Sequence, residues 1–264
     1  MPLRRITNPP RQLELNPKDP LTPVIQYPII PRLFTMSAQK SYHIRCPQCG
    51  HEQNVELYDS INVSQQPELK TALFENRLNR VLCLSCEASF RIDKPLLYHD
   101  PDRNILIHWM PDTAVSREEI LDEFDKSMEE LRAALPEDIE PPRVRLVFTR
   151  AELVELVFII EAGMEERVVE YIKYAIHMQN MKRMPPAEKQ LLLNVQDSTS
   201  DELLFAVQNV ATSELEDILR YPRSAYRNVR ELYRKTPDEF IELFPGPYIS
   251  ARGALMAESS VEEE

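Results

Sequence analysis

Four cysteines in two closely spaced pairs are the residues of this sequence with the most specific chemistry. Two residues separate Cys46 from Cys49, and two separate Cys83 from Cys86. Thiolates at this spacing bind one metal ion together, and four sulfurs complete the tetrahedral set typical of structural Zn²⁺ sites. Gly50 relieves the tight turn after the first pair, so that backbone amides face the sulfurs. The sequence therefore predicts one closed zinc site with no position for water or substrate.

Two other interpretations of the cysteines are a redox-active dithiol and ordinary reduced thiols. A redox dithiol stands where a strand meets a helix N-terminus, which lowers the thiol pKa, and neither pair has that setting. The spacer from Gly50 to Leu82 has 33 residues, more than the roughly 15 to 20 of a simple zinc ribbon. A helix predicted inside the spacer accounts for the excess.

Other polar residues are weaker candidates for chemistry. His51, His99 and His108 lie near the cysteine pairs, but four sulfurs leave no need for a histidine ligand, so we expect surface or supporting roles. The acidic pairs at 118–119 and 129–130 fall on a predicted amphipathic helix, which indicates a solvated face. The polar run 98–102 is predicted to be a turn.

The one locally basic stretch with interleaved rings lies near the C-terminus. Its arginines and tyrosines fit either a nucleic-acid or acidic-partner surface or, as we favour, tyrosines packed in the core with arginines paired to nearby acids. The residues are Tyr221, Arg223, Tyr226, Arg227, Arg230, Tyr233 and Arg234.

Charge and hydropathy restrict the functional classes. The formal net charge is −12, with about +3 on residues 1–36, about −1 on 37–110 and about −14 on the remainder, a distribution that opposes nucleic-acid binding. No apolar run reaches the roughly 18 residues of a membrane-spanning helix. Arg4 and Arg5 lead into Asn-Pro-Pro rather than an apolar segment, so no secretory signal is predicted and a reducing cytoplasmic location is expected.

The chain length predicts about two domains between two terminal segments. Residues 1–36 read as an extended arm, because eight of the 22 prolines fall within the first 35 residues. Met36 closely precedes the first cysteine pair and is an alternative start residue, which an intact mass of the native protein would test. We predict a zinc-binding domain over 37–111, an α-rich domain over 112–255 and an acidic tail over 256–264.

Local patterns predict the elements of both domains. The strands expected in the zinc-binding domain are 42–45, 53–63, 80–82, 88–92 and 104–109, with a helix over 67–78 between the cysteine pairs. In the second domain, capping boxes at Ser116 and Thr149 start helices. A strand over 143–148, a helix over 165–181, a hairpin of 191–195 with 203–207, and helices near Ser213 and over 224–234 complete the prediction.

Several motifs together resemble the bacterial CpXC domain. They are Cys46-Pro-Gln-Cys-Gly-His, the run Val-Glu-Leu-Tyr-Asp-Ser-Ile-Asn-Val from Val55, the second cysteine pair, and Pro95-Leu-Leu-Tyr-His-Asp-Pro. The resemblance spans about residues 42–110, and the late run from Phe244 is similar to the tail of longer members. It implies a metal-binding domain with the four cysteines as ligands and no established activity. Leu84 stands where the motif has proline, and Glu87 where the first pair has glycine.

The sequence predicts an α+β protein with a small antiparallel zinc-ribbon-like domain, which carries an inserted helix, followed by a mainly helical domain that contains a β-hairpin. The expected function is a non-catalytic scaffold or protein-interaction module with one Zn²⁺ and a protein partner. Two alternatives remain open. One is a nucleic-acid-binding zinc ribbon, and the other is an enzyme with an interdomain site that includes His99 and Asp100.

Overall fold

The computed structural model describes residues 37–111, 116–134 and 141–261. Helices and several sheets alternate along the chain, so the predicted α+β class is confirmed. The chain divides into two compact units, with the boundary between Arg143 and Val144. The predicted arm, residues 1–36, lies outside the described residues.

Three antiparallel β-hairpins and one short parallel pairing organise the described part of the first unit. Strands β1 and β2 pair antiparallel, with Arg45 opposite Glu52 at the tip. The far end of β2 pairs parallel with β5, which pairs antiparallel with β6, so the strand order within this unit is β1-β2-β5-β6. Strands β3 and β4 form a separate hairpin. The bounds are β1 (Ala38–Arg45), β2 (Glu52–Asn62), β3 (Arg80–Leu82), β4 (Ser89–Arg91), β5 (Leu96–Asp100) and β6 (Ile105–Trp109).

The predicted helix between the cysteine pairs is present but shorter than expected. Helix α1 (Pro67–Phe74) has Pro67 in its first turn and buries Leu69 and Leu73. It stops before residue 78 because Asn76 and Asn79 adopt left-handed backbone angles, with φ of 59° and 54°, which end a right-handed helix.

Residues 98–100 correct the prediction of a turn over 98–102. They belong to strand β5, whose side chains alternate between buried and half-buried positions, and only Pro101–Arg103 form a short 3-10 turn. The buried Asp100 carboxylate pairs with the Arg103 guanidinium at 2.9 Å. This ion pair lets a charged residue occupy a strand position that local composition assigns to a turn.

Both predicted capping boxes are confirmed. Ser116 Oγ accepts from the N–H of Glu119 at 3.2 Å, at the start of α2 (Arg117–Ala134). Thr149 and Glu152 cap α3 (Arg150–Glu161) reciprocally. Gly163, with a left-handed φ of 62°, follows α3.

The predicted hairpin of the second unit is confirmed and gains a third strand. Strand β9 pairs antiparallel with β8 on one side and with β10 on the other. The helix predicted near Ser213 is wrong. Ser213 lies in a turn with φ of 58°, and the next residues form β10, because Leu219 and Tyr221 alternate onto the core of the sheet. These strands are β8 (Lys189–Asn194), β9 (Glu202–Asn209) and β10 (Leu215–Pro222).

Helices pack on one face of this sheet. Buried residues of α4 (Glu166–Asn180), including Val168 and Ile172, contact sheet residues such as Phe205 in one apolar cluster. Strand β7 (Arg143–Val147) precedes α3, and three further helices follow β10: α5 (Arg223–Lys235), α6 (Pro237–Leu243) and α7 (Ala251–Val261). Helix α7 runs into the segment predicted as an acidic tail. In the described ranges no helix combines the length and apolarity needed to cross a membrane.

Candidate metal centre

The four cysteine sulfurs converge on one point of the first unit. All four Sγ atoms lie within 4.8 Å of one another. Cys46 Sγ is 3.7 Å from Cys86 Sγ, and Cys49 Sγ is 3.6 Å from Cys83 Sγ. A tetrahedron with metal–sulfur bonds of about 2.3 Å has sulfur–sulfur edges of about 3.8 Å. The cluster is therefore suited to hold one metal ion, and all four cysteines are free thiols.

The first cysteine pair occupies the tip of the β1–β2 hairpin. The N–H of Cys46 donates to the carbonyl of His51 at 2.8 Å, and the N–H of Gly50 donates back to the carbonyl of Cys46 at 2.9 Å. Gly50 has φ of 75°, a left-handed angle that glycine adopts without strain. These bonds form a tight knuckle that holds Cys46 and Cys49 on one side of the turn.

The second pair forms the same knuckle at the tip of the β3–β4 hairpin. The N–H of Cys83 donates to the carbonyl of Ala88 at 2.9 Å, and the N–H of Glu87 donates to the carbonyl of Cys83 at 3.0 Å. Glu87 adopts φ of 59°, in the position that Gly50 has in the first knuckle. The two turns are thus equivalent in hydrogen bonding, although a side chain replaces glycine in the second.

Backbone dipoles at the second knuckle favour a thiolate. The N–H groups of Cys86 and Ser85 point at the sulfur of Cys83 and lower the pKa of this thiol to about 6. A thiolate is the form that binds a metal, and these hydrogen bonds favour it at Cys83. Burial and the neighbouring sulfurs raise the pKa of the Cys86 thiol, so without a metal the knuckle favours one ionised sulfur.

Gln53 connects the two hairpins beside the sulfurs, a role that the sequence did not reveal. This buried side chain on β2 donates from Nε2 to the carbonyl of Leu82 at 3.0 Å and accepts at Oε1 from the N–H of Leu84 at 2.9 Å. Both partners are direct neighbours of Cys83. Gln53 therefore fixes the second knuckle relative to the first, and no local pattern identifies a glutamine with this role.

A small apolar cluster lies between the two hairpins. Ile44 from β1, Leu57 from β2, Val81 from β3 and Ile92 beyond β4 are all buried in it. Tyr42, Val55 and Phe90 are half-buried against them. Each hairpin contributes to this cluster, so apolar packing holds the knuckles near one another as well as Gln53.

None of the three histidines near the pairs belongs to the sulfur cluster. His51 is exposed and contributes its backbone carbonyl to the first knuckle. His99 lies on β5 and His108 on β6. Burial lowers the pKa of His108 to about 4, so this ring is neutral at physiological pH.

Comparison with protein-family models identifies the region around these knuckles. The model described as CpXC protein matches residues 44–173. We call residues 44–173, which match this family model, the CpXC region. The predicted resemblance is thereby confirmed, and the CpXC region extends well past residue 110, where the motifs in the sequence end. Neither the curated proteins nor the solved structures compared with the chain gave a match.

The CpXC region also includes three buried charges in the second unit, which we call the charged triad: Glu155, Glu170 and Lys173. Lys173 Nζ lies 2.6 Å from a carboxylate oxygen of Glu155 and 2.6 Å from one of Glu170. The other carboxylate oxygen of Glu170 accepts from the N–H of Ala251 at 2.8 Å, and Glu155 accepts from the N–H of Leu193. The triad thus connects α3, α4, β8 and the first residue of α7.

The cavity beside the charged triad is too small for an organic substrate. Its volume is about 30 Å³, room for about two water molecules. Burial raises the pKa of Glu155 to about 7, with a contribution from the negative charge of Glu170. Perturbed carboxylates often mark active sites, but here each carboxylate binds the lysine and a backbone N–H, which indicates a structural role.

The sequence offered one signal for the charged triad. Glu155 interrupts an otherwise apolar run from Leu153 to Ile160, and Glu170 and Lys173 are one helical turn apart among buried residues of α4. A charge on an apolar helix face indicates a buried partner, but neither helix alone identifies that partner.

Proposed function

We propose that this protein is a zinc-stabilised, non-catalytic interaction module whose Cys46, Cys49, Cys83 and Cys86 bind one Zn²⁺ in a zinc-ribbon-like lobe. The observation that carries the proposal is the set of sulfur–sulfur distances, 3.6 and 3.7 Å, which match the edges of a tetrahedral site. We define the cysteine lobe as residues 38–92, which contain both hairpins and both knuckles.

Zinc is the metal that this donor set favours. Four thiolates in a compact tetrahedral arrangement select Zn²⁺ or iron over hard cations, and structural zinc sites are closed by four such ligands. A closed site contributes binding free energy to folding and leaves no open coordination position for a substrate. This chemistry supports a structural role for the metal rather than a reaction. We further propose a protein partner and a cytoplasmic location, where thiols stay reduced and free to bind metal.

The enzyme alternative has less support. His99 and Asp100 follow each other on β5, so their side chains point to opposite faces of the sheet. Asp100 is buried and paired with Arg103. A general acid–base pair needs both groups within reach of one substrate.

Metal content tests the proposal directly. Elemental mass spectrometry on the full, untagged chain is expected to give one zinc per molecule, and Co²⁺ substituted for zinc is expected to show the absorption of a tetrahedral thiolate complex. Cys49→Ser is expected to remove the metal, whereas Ser85→Ala, which alters the second knuckle but no ligand, is expected to retain it.

Two results would contradict the proposed zinc site. A folded wild-type protein without metal, with four thiols that titrate freely, would overturn the zinc site and favour a thiol redox function. Iron in place of zinc would keep the donor set but refute the identity of the metal.

A further inference from the structure

Four arginines lie along one side of α5. Arg223, Arg227, Arg230 and Arg234 are spaced by four, three and four residues, and residues at these intervals are neighbours on a helix surface. The row extends for about 16 Å at 1.5 Å per residue. We call this row the arginine face.

The aromatic residues of α5 point elsewhere. Tyr226 is buried, and its hydroxyl accepts from the N–H of Glu165 at 2.8 Å. Tyr233 packs edge-on against Phe240, with ring centroids 5.2 Å apart. The tyrosines therefore belong to the core, as the sequence favoured, and are not available for stacking on bases.

The arginines, in contrast, are mostly not paired with acids. In the described part of the chain, Glu231 is the only carboxylate that bonds to the arginine face, at 2.8 Å from Arg234. Arg223 donates to the backbone carbonyl of Thr199, and Arg230 lies over the ring of Tyr226. Arg227 is exposed. About three positive charges thus remain uncompensated on a short surface.

We propose that the arginine face binds the sugar–phosphate backbone of a nucleic acid. Guanidinium groups bind phosphates through paired hydrogen bonds, and a row of them at intervals of about one helical turn suits a regular chain of phosphates better than the irregular carboxylates of an acidic peptide. Because neither tyrosine of α5 is available to stack on a base, we expect the helix to bind the backbone independently of base sequence.

The net charge of −12 reduces this binding but does not prevent it. At physiological salt, charges further apart than about 8 Å are largely screened, so the nearest charges dominate the potential at the arginine face. This proposal goes beyond the protein-interaction role proposed above, because it adds nucleic acid as a second class of partner. It uses a surface in the second unit, so it can fail while the zinc site stands.

Fluorescence anisotropy on the full, zinc-loaded chain tests the proposal. The probes are a labelled single strand of about 16 nucleotides and the matching duplex. Affinity is expected to fall between about 50 and about 200 mM salt, with a logarithmic slope of about −2 to −3, as three released counterions predict. Arg227→Ala is expected to reduce the magnitude of the slope by nearly one, and Arg227→Glu to abolish binding.

The matched control is Arg183→Glu, which makes the same change of charge at an exposed residue just after α4. It is expected to retain the affinity to within about twofold, because it lies outside the arginine face. Zinc content and melting temperature of each variant confirm that the fold is intact.

Three results would overturn the proposal. They are no binding of either probe at the lowest salt, equal losses in Arg183→Glu and Arg227→Glu, and competition by polyglutamate as effective as that by unlabelled DNA. The last result would assign the arginine face to an acidic protein instead. A loss of zinc with intact nucleic-acid binding would contradict only the metal proposal.

Discussion

The cysteine lobe and the second unit bury charge in different ways. In the cysteine lobe, four sulfurs surround a position where a cation would balance them, above a cluster with four buried apolar residues among those described. The second unit contains the charged triad next to a cluster of thirteen buried residues. The apolar cluster beside the sulfurs is the smaller of the two and the proposed site there takes an external ion, whereas the charged triad lies beside the larger cluster and supplies its own cation, Lys173.

This difference predicts separate sensitivities. Structural zinc contributes much of the folding free energy of a small lobe. A buried ion pair, in contrast, stabilises a fold little more than apolar residues would, but removal of one partner is strongly destabilising because the other charge stays buried. Agents that remove metal are therefore expected to destabilise the cysteine lobe. Removal of a single buried charge is expected to destabilise the second unit.

Metal removal is expected to have the largest effect. A strong chelator should unfold the cysteine lobe, because apparent zinc-binding free energies in small zinc domains are about 10 to 16 kcal/mol. Hydrogen exchange followed by mass spectrometry should show loss of protection in residues 38–92 and retained protection in β8 and β9. Equal loss of protection in both regions would contradict the comparison.

Lys173→Met is expected to have the next largest effect. It leaves Glu155 and Glu170 buried and facing each other without a cation, which costs about 3 to 5 kcal/mol. Denaturant unfolding would measure the loss. The control is Lys189→Met, which breaks the Lys189–Glu216 pair near the surface and should cost at most about 1 kcal/mol. Similar losses in the two variants would show that the charged triad has no special cost.

A dependence on pH follows from Glu155. Burial raises its pKa from 4.5 to about 7, so the folded state binds the proton more tightly than the unfolded state. This stabilisation is fully present below pH 4.5 and is lost as the pH rises through 7, by at most about 3 kcal/mol. Burial also raises the pKa of Glu166, although the neighbouring Arg145 guanidinium opposes this shift, and the net change acts in the same direction as that of Glu155.

Unfolding of the second unit, followed between pH 6.5 and 8.5, checks the last part of this loss, which is about 1 kcal/mol for Glu155 in that range. Burial lowers the pKa of His177, and the destabilisation that follows appears on the acid side, below this range. Glu155→Gln is expected to flatten the profile and to be more stable than the wild type at pH 8. An unchanged slope in Glu155→Gln would assign the titration to another group.

Gln53→Ala should have a smaller effect that is confined to the cysteine lobe. It removes the two partly buried hydrogen bonds to the Leu82 carbonyl and the Leu84 N–H, which together cost about 1 to 3 kcal/mol. Zinc transfer to a chelator should become faster, while the second unit melts as before. Gln39→Ala, at an exposed position on β1, should leave the transfer rate unchanged.

Features that depend on residues close together in the chain could be predicted from the sequence. The spacing of Cys46 to Cys49 and of Cys83 to Cys86, the capping boxes at Ser116 and Thr149, and the hairpin of β8 and β9 each depend on residues close together in the chain. The turn chemistry was also local, which is why the position of Glu87 in the second knuckle could be identified before its backbone angle was known.

Contacts between residues far apart in the chain could not be predicted from the sequence. Strand β10 becomes a strand because Leu219 faces Phe205 of β9, and the same residues alone also fit the short helix that was predicted. Strand β5 is stabilised by its parallel pairing with β2. Gln53 and Lys173 acquire their roles from partners 29 and 18 positions away, so no local window contains the necessary information.

The two knuckles offer the smallest and most controlled comparison, because they differ at the residue with the left-handed angle. Glu87 at φ of 59° carries a side chain where a left-handed angle costs about 1 kcal/mol. Glu87→Gly removes that strain but gives the unfolded chain more freedom, so we expect a net stabilisation of about 0.5 kcal/mol, measured by thermal unfolding of the zinc-loaded protein.

The reciprocal change, Gly50→Ala, should destabilise by about 1 kcal/mol, since a methyl group there is strained by φ of 75° and approaches the Arg45 side chain to 3.4 Å. If Glu87→Gly instead destabilises the lobe, the Glu87 side chain makes a favourable contact that exceeds its backbone strain. The Glu87 side chain would then stabilise the second knuckle, and the two turns would be equivalent only in their backbone hydrogen bonds.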